Sequence, residues 1–270
     1  MVMLAILGMH RSYTSLTASW LDACGLDLGA RQLGADTGNE RGHFEDLDFY
    51  EFHIAMLRAS GLPENGMVTR GQPHFDAARY KAISWDEAAA RRLLQAKPDT
   101  FAWKEPRTCL FLPHYRALAD FHCIAVYRDY REVVQSLMER EARQIAGTPR
   151  GSWLRRAAFP LQRPYKRWQN ARLADGFLAA WCHYNECILD HVAAVGPQRA
   201  IVCDLDRLAR DDAAIAEQLQ GWGFPLDYRP IAGLMAERRP PVAEIDGDPA
   251  LVARANVIAQ RFLALARGEA

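Results

Sequence analysis

The residues best suited to chemistry stand near the start of the chain, in the stretch Leu4-Ala-Ile-Leu-Gly8-Met-His10-Arg11-Ser12-Tyr13-Thr14-Ser15-Leu16. An apolar run leads into one glycine, then a polar loop with one fixed positive charge, then a helix start rich in hydroxyls. That order suits a phosphate-like anion, because N–H groups and hydroxyls at a helix N-terminus point at the ligand and the helix dipole favours negative charge. Arg11 adds a planar fork that can grip a tetrahedral oxyanion through two N–H bonds. Farther on, Arg128 and Ser136 lie at the end of an expected strand and inside the helix after it. Alone, that pair reads equally well as a surface ion pair and an ordinary helix serine. Beside the first loop it offers a second anion site, the arginine acting by charge and the serine by a directed O–H bond.

The loop departs from the P-loop pattern G-x-x-x-x-G-K-[ST]. Gly8 and Ser15 match its ends, but Tyr13 replaces the second glycine and Thr14 the lysine. A nucleotide triphosphatase lacking that lysine is disfavoured, and the charge has moved to Arg11. No Asp/His cluster has metal-ligand spacing, so no metal is expected.

Composition sets the frame. The 270 residues are half hydrophobic, enough for one large α/β domain with a full core. Lys+Arg and Asp+Glu stand at 33 each, which argues against a surface built for nucleic acid and makes any anion site local. Cys24, Cys109, Cys123, Cys182, Cys187 and Cys203 form no C-x-x-C pair and mostly sit in apolar stretches. They read as reduced core thiols of a cytoplasmic protein. Neither a secretory leader nor a membrane span is expected, because the N-terminal apolar run is short and is followed at once by the polar loop, and no longer apolar stretch stands elsewhere.

The elements that must position these residues follow from periodicity. Strands are expected at 2–7, 100–104, 121–127 and 200–203. Helices are expected after Gly8–Tyr13 up to Gly25, from the Gly42-His43-Phe44-Glu45-Asp46 segment to about Arg58, near 85–96, after Arg128, and over 173–194, 211–221 and 250–267. Residues 25–42 read as a functional loop. Lys104-Glu105-Pro106-Arg107 falls at the carboxyl end of a strand, where open α/β sheets place ligands. Because neighbours on a strand face opposite ways, Lys104 and Glu105 should not both face one group unless the strand has ended, which Pro106 makes plausible. Residues 140–172 interleave nine basic side chains with Trp153, Phe159, Tyr165 and Trp168 and hold a single acid, Glu141, and they read as a cap or insertion on a single domain. Alternating strands and helices imply a P-loop-like three-layer α/β sandwich around a central parallel sheet, with that basic, helical segment as cap.

GMHRSYTSL, followed by GHFE, KEPR and YRDYREVVQSL, resembles the sulfotransferases that use 3′-phosphoadenosine-5′-phosphosulfate, particularly bacterial members with a G-M-H-R-S-G-T-S loop. The likeness is good from residue 4 to about 140 and weak to about 225. It implies that His10, Arg11, Ser12, Thr14 and Ser15, on the loop that runs from Gly8 through Tyr13, bind the 5′-phosphosulfate. It implies that Arg128 and Ser136 bind the 3′-phosphate, with Arg238 and Arg239 as weaker candidates for the same group. The family's loop glycine is Tyr13 here; a residue with a Cβ resists positive φ, so either the loop does not need that conformation at this point or the tyrosine has another job, and if the loop keeps its usual shape the ring is expected to face the acceptor.

Sulfuryl transfer should run as an in-line displacement in which Arg11, loop N–H groups and Lys104 stabilise developing charge. Glu45 is the first candidate for general base, with His43 and Glu105 as competitors. The blander readings are that Glu45 favours a helix dipole and that Glu105 pairs with Arg107. The acceptor is expected to be a small molecule or glycan, sugar-like or anionic if 140–172 contacts it, and the product adenosine 3′,5′-bisphosphate. The rivals are a P-loop-like kinase, which would need a compensating lysine and an acidic Mg²⁺ ligand such as Asp204, and a non-catalytic nucleotide-binding module.

Overall fold

The computed structural model describes residues 2–34, 43–147, 163–235, 245 and 247–269, the side chains of 144–147 and 163–168 excepted. Four strands, β1 (Val2–Leu7), β4 (Thr100–Lys104), β5 (His122–Val126) and β6 (Ala200–Cys203), form a parallel sheet in the order β4-β1-β5-β6. Each is a short apolar run buried on both faces, as a parallel sheet requires. A separate two-stranded antiparallel pair joins β2 (Gln32–Leu33) to β3 (Glu45–Asp46).

The alternation of side chains along β1 divides the core. Leu4 and Ile6 pack with Ala18, Trp20 and Leu21 of α1 (Thr14–Ala23), whereas Met3, Ala5 and Leu7 join the opposite layer. That layer includes α2 (Leu47–Ala59), α3 (Ala77–Lys81), α4 (Glu87–Gln95), α5 (Leu112–Leu118), α6 (Tyr130–Gly147) and α7 (Arg163–Val195). The α1 layer continues through α8 (Leu205–Arg210) and α9 (Asp212–Gly221), and α10 (Pro249–Arg267) packs on α7 and β6. The result is the three-layer α/β arrangement with a central parallel sheet that the strand-helix alternation predicts. No helix among the described residues is long and apolar enough to cross a membrane.

Several boundaries differ from expectation for local reasons. Glu45 and Asp46 do not open α2. They pair with Leu33 and Gln32, and the Asp46 carboxylate caps the helix by accepting from the amides of Asp48 and Phe49. The strand ends at Lys104 as Pro106 implies, and the chain turns into a 3₁₀ segment, Pro106–Phe111, and then α5. Helix α6 runs past residue 140 and α7 begins ten residues before 173, so both ends of the expected cap are helix; the rest of it lies outside the described residues, as do Arg238 and Arg239.

Candidate functional site

The sheet order sets where a ligand can enter. The chain leaves β1 for β4 on one side and returns to β5 on the other, so the crevice between the carboxyl ends of β1 and β5 is the switch point of the sheet. The Gly8–Tyr13 loop fills one lip of that crevice and Arg128, two residues beyond β5, the other.

The loop is shaped for backbone donors. A Cβ on Gly8 would lie 2.6 Å from Thr14 Cγ2 and 2.9 Å from the Val126 carbonyl, so only glycine lets the loop pack this closely on β5. Arg11 and Tyr13 both have positive φ, 70° and 63°. Left-handed residues near helical ones turn successive N–H groups toward one point, a concavity that suits an anion. Tyr13 is also the residue before α1, and it provides no side-chain cap, so the first turn of α1 keeps its amides for another partner. The conformation that glycine would supply is therefore kept despite the Cβ, at a strain of about 1–3 kcal/mol.

The Tyr13 ring is turned toward Arg128. It lies under the Arg128 guanidinium, 4.4 Å from ring centroid to Cζ, and its hydroxyl donates to Glu132 Oε2 at 3.1 Å. The same Glu132 oxygen accepts from Arg128 Nε at 2.8 Å, and Arg128 Nη1 donates to the Arg11 carbonyl at 2.7 Å. Arg11 in turn reaches across the crevice, its Nε donating to Ser136 Oγ at 2.9 Å. The two expected anion sites thus meet as one cluster.

On the other side of β1 the register positions a lysine. Ile6 pairs with Lys104, and Ala102 packs with α1, so Lys104, two residues later, emerges on the α1 face. Its ammonium donates to Ser15 Oγ (3.2 Å), to the His43 carbonyl (2.9 Å) and to Glu45 Oε1 (2.7 Å). Lys104 is 1% exposed and Glu45 4%, so this is a buried ion pair at the foot of the loop helix. Lys104 engages Oε1 of Glu45, and His43 Nδ1 stands 3.9 Å from the same oxygen.

Glu105 faces the opposite layer. Its carboxylate is fully buried, with Oε2 on His53 Nδ1 (2.5 Å) and Oε1 on Arg107 Nη1, while Tyr115 Oη meets His53 Nε2 at 2.9 Å. Burial by itself would raise the Glu105 carboxyl, but the Arg107 charge and the His53 hydrogen bond outweigh it and hold the group at about 2. Both oxygens are spent in this chain, which fits the ion-pair reading of Glu105 better than a base. Arg107 also donates to the Glu64 carbonyl at 2.6 Å.

His10 feels the charges of both groups. Burial first, then the charges of Arg107, Arg140 and Lys104, lower its imidazole well below the ordinary value, so it is neutral at pH 7. Its Nε2 is buried without a hydrogen-bond partner among the described residues.

Three solved sulfotransferases resemble the chain. An enzyme from Alicyclobacillus acidocaldarius is 14% identical over 98% of this chain and 94% of its own, with a TM-score of 0.49. The sulfotransferase domain of the Synechococcus PCC 7002 olefin synthase is 15% identical over 96% and 94%, TM-score 0.48. That of the curacin biosynthetic pathway is 15% identical over 82% and 73%, TM-score 0.42. No family model and no curated protein matches the chain. At such identities and scores the likeness establishes no family membership.

Glu132 was not among the residues singled out from sequence, although its place four residues after Arg128 at a helix start is the spacing of an ion pair. Lys97, which donates to Asp46 (2.6 Å) and Asp48 (2.7 Å) beneath Glu45, had no such signal.

Proposed function

We propose that the protein is a sulfotransferase that moves a sulfuryl group from 3′-phosphoadenosine-5′-phosphosulfate to a hydroxyl of a small-molecule or glycan acceptor. The observation that carries this reading is Lys104, whose ammonium is bonded at once to Ser15 on the anion-loop helix and to the Glu45 carboxylate. One cation thus links the place where negative charge is bound to a group able to take a proton. The donor residues suit the nucleotide: the positive-φ loop, the uncapped first turn of α1, and the buried unpartnered Nε2 of His10 all await an acceptor of hydrogen bonds or a donor.

The donor supplies an activated sulfuryl group whose departure leaves charge on a phosphate oxygen. Loop amides, Ser12, Thr14 and Ser15 hold the 5′ group; Arg128, Ser136 and Arg11 hold the 3′-phosphate. Lys104 is aimed at charge that develops between loop and acceptor, so it stabilises the transition state more than the ground state. Glu45 takes the proton of the acceptor hydroxyl while Lys104 keeps its carboxylate oriented.

The test is sulfuryl transfer from labelled donor to a panel of hydroxyl acceptors. Glu45→Gln should lower kcat by about 10²–10⁴ while adenosine 3′,5′-bisphosphate binds as in the wild type. Unchanged kcat would remove Glu45 as base, and no binding of the bisphosphate would remove the donor assignment.

A phosphoryl-transfer reading has one observation in its favour, since Lys104 stands where a compensating lysine would be needed. Against it, Asp204 caps α8 by accepting from the Arg207 amide at 2.8 Å, on the edge strand two places from β1.

A further inference from the structure

The Arg128 guanidinium is already engaged on most sides. Nη1 is bonded to the Arg11 carbonyl, Nε to Glu132, and one face is covered by the Tyr13 ring. An arginine grips an oxyanion best through two parallel N–H bonds from one edge. Here the Nε–Nη2 edge is half occupied by a carboxylate oxygen of the protein itself. That oxygen is held by two elements, since Tyr13 on the loop donates to it as well. An i,i+4 pair on an exposed helix would not need the second bond, nor a strained residue to make it.

We propose that Glu132 and Tyr13 form an internal clasp on Arg128 that sets how tightly the crevice takes a phosphate, the Glu132 carboxylate standing where a ligand oxygen would otherwise complete the arginine fork. A phosphate arriving at Arg128 meets a neighbouring negative charge and must either share the guanidinium or displace Glu132. The clasp therefore lowers anion affinity and makes Glu132 an affinity-determining residue rather than a ligand. Tyr13 acts through the other two: its ring fixes the guanidinium plane and its hydroxyl fixes the carboxylate. This rests on the reading of Arg128 as the 3′-phosphate ligand.

The experiment is calorimetry of wild type, Glu132→Gln and Tyr13→Phe with adenosine 3′,5′-bisphosphate, adenosine 5′-phosphate and inorganic phosphate, after matching thermal melts. Glu132→Gln should bind the bisphosphate about tenfold tighter than wild type, with adenosine 5′-phosphate unchanged within twofold. Tyr13→Phe, which keeps the ring but removes the second bond to the carboxylate, should gain about threefold. Equal or weaker bisphosphate binding by Glu132→Gln, where the wild type binds it, overturns the clasp and leaves the donor reading intact. If neither protein binds the bisphosphate but Glu132→Gln gains affinity for inorganic phosphate, the clasp stands and the nucleotide assignment falls. If neither protein binds the bisphosphate and Glu132→Gln gains nothing with inorganic phosphate, the clasp falls together with the assignment.

Discussion

Arg11 carries more than one duty at the crevice. As a loop residue it belongs with the 5′ group, yet its Nε is bonded to Ser136 and its carbonyl to Arg128. The simpler expectation, that only Arg128 discriminates a 3′-phosphate from a 3′-hydroxyl, gives way to a shared cluster. Arg11→Ala should therefore reduce that discrimination as Arg128→Ala does, each by about tenfold or more, since a hydrogen bond to a charged group is worth about 1.5–3 kcal/mol. Calorimetry with adenosine 3′,5′-bisphosphate against adenosine 5′-phosphate reads it, and full discrimination in Arg11→Ala would separate the sites again. Gly8→Ala places a methyl against backbone as well as a side chain, at 2.9 Å from the Val126 carbonyl, so the loop must move. Its bisphosphate affinity should fall at least tenfold.

At the scale of elements, the device that delivers Glu45 is the joint between β3 and α2. Asp46 is fully buried, caps α2 and accepts from Lys97, which also binds Asp48. Removing the lysine leaves a buried carboxylate without its cation, a change that costs about 3 kcal/mol or more. Lys97→Met should lower thermal stability and reduce kcat while leaving bisphosphate affinity within a few-fold, because Lys97 binds Asp46 and Asp48 rather than the loop. Parallel loss of donor affinity would show that the joint supports the loop too. This joint was illegible in the sequence: Glu45 and Asp46 look like the first turn of an amphipathic helix, and their pairing with Leu33 and Gln32 depends on a loop whose ends meet only in the fold. By contrast β1, α1 and the Gly25 stop, at φ 87°, follow from local pattern alone.

Across the whole molecule, buried imidazoles set the response to acid. His183 and His191 both lie on α7, and burial lowers each to about 4 from an ordinary 6.5. Both are neutral in the fold, whereas the unfolded chain takes up protons below 6.5. Their contribution to stability is thus complete above about 6.5 and lost as pH falls toward 4. Glu105 extends the loss: its stabilisation is present above the ordinary carboxyl range and disappears as pH falls through that range to about 2. His191 is stacked on Phe121 at 4.9 Å, and neither ring nitrogen has a hydrogen-bond partner among the described residues. His191→Phe keeps the stack and removes the proton site. It should be worth about 2 kcal/mol at pH 5, raising the melting temperature there by about 4 °C and at pH 8 by less. Equal gains at both pH values would remove the titration account.

The sequence by itself determined the layers: short apolar runs alternating with amphipathic helices, a glycine-led loop before α1, and charged residues at strand ends. Those signals are local, because backbone preference and burial period act over a few residues. Which charges meet was decided only by the tertiary structure. Lys104 with Glu45, Arg11 with Ser136, and Tyr13 with Glu132 are partners 59, 125 and 119 positions apart. Sheet register and the left-handed turn at Tyr13 bring them together, and neither is written in any one segment of the chain.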